Sequence, residues 1–96
     1  MMFIVKKNLD AQRRLFLNVI DEELKGKVLE DDNKKLDLTC SYYCGELVDQ
    51  SKAVELINKA HSIQFIGNNS VDLGVKLNLV EAQLTVQKVK YAFVIR

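Results

Sequence analysis

The chain has 96 residues, 48% hydrophobic, 28% charged and 7% aromatic, which suits one compact domain and excludes a disordered or fibrous polymer. At this length only about 60–65% of the unfolded surface is buried on folding, so nearly every apolar residue is committed to the core and little is left to build an elaborate cleft. Fourteen Lys and Arg against thirteen Asp and Glu give a net charge of +1, which excludes a protein held to nucleic acid by bulk charge, although the distribution is uneven: +3 over residues 1–20, −5 over 21–55 and +3 over 56–96.

Residues 3–5 and 15–20 are rich in β-branched and aromatic side chains and flank Asn8-Leu9-Asp10-Ala11, whose Asn and Asp suit a turn. Together they predict a hairpin with Lys6, Lys7, Arg13 and Arg14 near its tip. Asp21-Glu22-Glu23-Leu24-Lys25-Gly26 reads as a single helical turn, with Asp21 as its cap, the glutamates at the positive end of the dipole and Gly26 in the left-handed stop position. Val28-Leu29 leads into the polar turn Asp31-Asp32-Asn33-Lys34, and alternation over residues 36–40 predicts a half-buried strand with Cys40 as a small core residue at its end.

The segment 41–48, with Tyr42-Tyr43 and Gly45, reads as a packed loop. Asp49 or Ser51 can cap a helix in which Ala53, Val54, Ile57 and Ala60 recur at helical spacing. Residues 63–66 predict a strand ending at Gly67, and Asn68-Asn69-Ser70 then supplies a turn and a serine cap for a second helix running to about Leu77. That helix is apolar on more than one face and should be largely buried, with Asn78 as a left-handed stop. Residues 84–86 and 91–95 predict a closing hairpin whose last strand, apolar at almost every position, should be central or covered on both faces. With no proline, four glycines and no low-complexity stretch, there is no place for a linker. The expected architecture is a single α+β domain over residues 1–96, two β-hairpins and additional short strands covered by two α-helices.

No run reaches the roughly eighteen apolar residues of a membrane span, and residues 1–5 are cut off by Lys6-Lys7 too early for a signal peptide, so no membrane partner is expected. Two cysteines are too few for a disulfide-stapled secreted domain, which points to the reducing cytoplasm.

Four stretches, taken in order, resemble the archaeal domain-of-unknown-function family 424. These are Asp21-Glu22-Glu23-Leu24-Lys25-Gly26-Lys27; Tyr42-Tyr43-Cys44-Gly45-Glu46; the path from Ala60 through Phe65-Ile66-Gly67 and Val71 to Leu79-Val80; and the closing Val89-Lys90-Tyr91-Ala92-Phe93. Asn78 stands where the family carries glycine, and Tyr91 and Phe93 stand where it carries a polar His and Gln. The resemblance implies an archaeal cytoplasmic protein of about this length whose genes travel with translation genes, hence a ribosome or RNA connection. It implies no reaction, and no catalytic residue carries over.

Residue chemistry also favours binding over catalysis. Cys40, Cys44 and His61 are three soft ligands where a zinc site needs four, so no metal or other cofactor is expected. A Cys/His nucleophilic pair needs the thiol and imidazole in hydrogen-bond reach, whereas His61, at a helix end, suits the negative end of the dipole. Gly67-Asn68-Asn69-Ser70 lacks the extra glycines and lysine of a phosphate loop. The carboxylates Asp21, Glu22, Glu23, Glu30, Asp31 and Asp32 suit a solvated surface.

The basic group Lys6, Lys7, Arg13 and Arg14 remains, either as guards of an exposed edge or as contacts to a phosphate backbone, with Lys88, Lys90 and Arg96 able to extend it. The expectation is a non-enzymatic accessory module of archaeal translation. It would dock on ribosomal RNA or a ribonucleoprotein through that tip, its acidic middle facing away from the RNA or meeting a basic ribosomal protein. The rival is a subunit of an obligate homo- or hetero-oligomer, joined through its closing strand or an exposed edge.

Overall fold

A computed structural model describes residues 1–96 and bears out the α+β class. β1 (Met2–Leu9) and β2 (Leu15–Asp21) form the expected hairpin, with Leu9 opposite Leu15 and Phe3 opposite Asp21. β1 runs past its apolar start and carries Lys6 and Lys7 into the strand itself. A 3₁₀ turn at Glu22–Leu24 follows, ended by Gly26 at φ 72°, a backbone conformation that costs glycine little. β3 (Val28–Asp31) and β4 (Lys34–Asp37) then make a separate two-stranded hairpin. The strand expected to reach Cys40 therefore stops at Asp37, and Cys40 is exposed rather than in the core.

The loop expected over 41–48 is more ordered than its composition suggests: a 3₁₀ turn at Ser41–Tyr43 and a short strand, β5 (Glu46–Asp49), which pairs with Met2–Val5 of β1. Gly45 permits this. A Cβ there would overlap the Val5 carbonyl, so the chain comes down onto β1 only where a side chain is missing. Next come α1 (Gln50–Lys59), β6 (Ser62–Ile66), α2 (Asn68–Lys76), β7 (Leu84–Val86) and β8 (Val89–Ile95).

The main sheet has the order β5-β1-β2-β6-β8-β7, parallel between β2 and β6 and antiparallel elsewhere. Side chains alternate across it with period two. On one face Phe3, Val5, Leu17, Val19, Ile63, Phe65 and Ala92 pack against Ala53, Leu56 and Ile57 of α1 and Val71 and Leu73 of α2. On the other, Ile4, Ile20, Ile66 and Val86 meet Leu24, Leu29 and Leu38 from the 3₁₀ turn and the small hairpin. That second layer covers only half the face. Two expectations change as a result. α2 is buried on one side only, since Val75 is 48% exposed, and β8 is covered on both faces only at its start, where Val89 and Tyr91 pack on the second layer, since Phe93 is 52% and Ile95 68% exposed.

Candidate functional site

The expected basic tip exists as a hairpin end but not as a single patch. Lys6 and Lys7 are neighbours in a strand and therefore project from opposite faces of the sheet: Lys6 lies across from Asn18, Lys7 across from Leu17 on the helix face. Arg14 is spent inside the turn. Its Nε donates to Asp10 Oδ2 at 2.7 Å, while the backbone N–H groups of Gln12 and Arg14 donate to Asp10 Oδ1. The Asp10 carboxyl is held below its usual 3.8 chiefly by the Arg14 backbone N–H and then by the guanidinium. Arg13 sits exposed at φ 61° on the apex.

Arg96 stands at the tip end of the sheet, because its N–H donates to His61 O and the His61 N–H donates to Leu15 O. Lys88 and Lys90 stand at the far end, where Gly67 N–H donates to Lys90 O and Lys90 Nζ pairs with Asp72 at 2.7 Å. They do not extend the tip.

A different group comes together on the uncovered half of the sheet. Register places Lys6 and Asn8 of β1, Phe16 and Asn18 of β2, Gln64 of β6 and Phe93 of β8 on one face. Phe16 and Phe93 lie with ring centroids 5.6 Å apart, and Tyr42, from the 3₁₀ turn at the border, is 6.2 Å from Phe16. Asn18 holds that turn in place, its Nδ2 donating to Tyr42 O at 3.2 Å. Asn18 Oδ1 and Asn8 Nδ2, an acceptor and a donor on diagonal neighbours, are buried without a partner. The sequence carried a faint sign of this: in residues 15–19 the odd positions are aliphatic while Phe16 falls in phase with Asn18, an aromatic on the polar side of the alternation.

The other candidates close up or stay bare. The N-terminus of α2 is already filled by an anion of the chain's own, since Asp21 accepts from Asn69 N, Ser70 N and Ser70 Oγ at 2.7–3.0 Å. Asp21 therefore caps α2 and not the 3₁₀ turn after it, and Ser70 donates to that cap instead of being one. A cavity of about 420 Å³ beside the covered half has an apolar floor of Ile4, Ile20 and Leu38, with Glu22 and Lys25 on one wall and Tyr43, Cys44 and Gly45 on the other. Burial lifts the Tyr43 phenol above its usual 10.0. The Cys44 thiol donates to Cys40 O at 3.6 Å. No three His, Cys, Asp or Glu side chains are placed to share a metal ion. No helix is long and apolar enough to cross a membrane.

A family model described as "Protein of unknown function (DUF424)" matches residues 10–96. The chain belongs to this family. Both walls of the 420 Å³ cavity come from segments that carried the family resemblance, residues 21–27 and 42–46. The crystal structure of an uncharacterized conserved protein from Methanopyrus kandleri is similar, with a TM-score of 0.82 and 16% sequence identity, over 99% of this chain and 93% of that one. At that identity the likeness concerns the fold. No curated protein matches the chain.

Proposed function

We propose that this DUF424 chain is a non-enzymatic RNA-binding module that takes single-stranded RNA on the uncovered half of its sheet. The observation that carries the reading is the trio Phe16, Phe93 and Tyr42 standing together on an open strand surface, Phe93 half exposed and Tyr42 41% exposed. Unpaired bases stack on such rings, and a sheet face offering aromatics is how several single-strand readers work. Lys6 lies on the same face for a phosphate, and Arg13 stands free at the hairpin apex. The amides of Asn8, Asn18 and Gln64 provide donors and acceptors suited to base edges.

The basic tip thus enters as two usable cations, Lys6 and Arg13, beside a stacking surface. The acidic small hairpin packs over β7 at the far end, where Glu30 N–H donates to Gln87 Oε1 and Gln87 N–H to Asp31 Oδ2. The translation setting implied by the family resemblance makes ribosomal RNA the first partner to test.

The test is fluorescence anisotropy with a labelled short single-stranded RNA and the matching duplex. Phe93→Ala removes a half-exposed ring with little expected effect on the fold. It should weaken single-strand binding about 5- to 150-fold, the equivalent of one lost stacking contact. The duplex should bind more weakly than the single strand throughout. Equal affinity for the duplex, or an unchanged affinity in Phe93→Ala, would remove the proposal.

A further inference from the structure

The two edges of the sheet are finished differently. β5 covers only Met2–Val5 of β1, and the stretch it leaves bare carries Lys6 and Lys7, charges that discourage another strand from adding there. At the opposite edge β7 covers only Val89–Tyr91 of β8, and beyond it Ala92-Phe93-Val94-Ile95 has neither charge nor proline. Backbone directions follow from two bonds: Lys90 C=O and Arg96 N–H both point toward β6. Alternation then turns the N–H and C=O groups of Phe93 and Ile95 outward, where the fold gives them no partner. A groove of about 390 Å³ lies between this edge and the passing segment of Leu79, Glu81 and Ala82.

We infer that this edge pairs with the same edge of a second copy, in a two-fold antiparallel β8–β8 junction. One register pairs both outward residues. Outward groups sit at 93 and 95, and Tyr91 is already taken by Leu84, so Phe93 pairs with the partner's Ile95 and Ile95 with the partner's Phe93. The axis then passes through Val94. Each of those pairs exchanges both backbone hydrogen bonds, the exposed Phe93 and Ile95 side chains become cross-strand neighbours, and Arg96 falls opposite the partner's Ala92, so no like charges meet. The edge is thus complementary to itself, which is what an isologous dimer requires. The pairing joins two sheets into one and removes the unguarded edge.

Sedimentation equilibrium without RNA tests this. The native chain should move from 11.0 kDa toward twice that mass as concentration rises, and the association should persist at high salt. Val94→Cys, in a chain also carrying Cys40→Ser and Cys44→Ser, places two thiols in a non-hydrogen-bonded pair with Cα atoms about 4.5 Å apart, within disulfide range. It should cross-link to a covalent dimer under mild oxidation. Ile95→Pro removes an outward N–H and leaves the β6 ladder intact, so it should keep the native circular dichroism and be monomeric; Ile95→Lys should do the same by charge. A mass of 11.0 kDa at every concentration, or a Val94→Cys chain that does not cross-link, would overturn the inference and leave the RNA reading standing.

Discussion

Gly67 and Asp21 show how much one contact can require of the sequence. Gly67 adopts φ 112° and ψ 153°, a region essentially reserved for glycine, and a Cβ there would overlap the Asp21 carboxylate that caps α2. Gly67→Ala should therefore destabilise the fold by at least about 2 kcal/mol, read as a lower urea midpoint, since strain and steric overlap act together. An unchanged midpoint would refute that packing. At the hairpin apex, the lowered Asp10 carboxyl stabilises the turn fully above its unfolded value near 3.8 and loses that contribution as pH falls through the lowered folded value. Amide signals of Gln12 and Arg14 should accordingly stay fixed at neutral pH and move only in acid. Gly26 and Asn78 were legible from sequence because their left-handed conformations, φ 72° and 61°, are local requirements. Gly45 was not, because what it must avoid is the backbone of β1, distant in the chain.

Among the elements, α1 was the most readable. Its apolar spacing is helical, and Asp49 accepts from Lys52 N at 2.9 Å, one of the two caps the sequence offered. Asp49→Ala should cost about 1 kcal/mol in thermal or denaturant unfolding, and no loss would mean the cap is idle. β5 escaped notice because its four residues include two exposed carboxylates and a half-exposed Leu47, leaving no period to read. β8 was recognised as a strand but misjudged in its surroundings. An apolar run fits a strand buried on both faces and equally one left open to receive something, and only the extent of the second layer decides between them.

For the molecule as a whole, Lys6 and Arg13 stand at the tip end, while at the far end the carboxylates of the small hairpin lie among Lys34, Lys35, Lys88 and Lys90. Two phosphate contacts, from Lys6 and Arg13, give single-stranded RNA a salt slope of about −1.4 in log–log form. Asp10→Asn frees Arg14 and should steepen the slope to about −2.1, whereas four cations acting as one patch from the outset would give about −2.8. The class, the first hairpin and both helices were open to sequence reasoning because each is set by local pattern. The half-covered face was not, because it depends on where a detached hairpin comes to rest. Nitrogen-edited NMR of the native chain during titration with single-stranded RNA reads out residue by residue whether the open sheet face takes the strand. Amide shifts should concentrate at Lys6, Asn8, Phe16, Asn18, Tyr42, Gln64 and Phe93 while α1 and α2 stay silent; shifts centred on the helices or on the 420 Å³ cavity, or none at all, would contradict it.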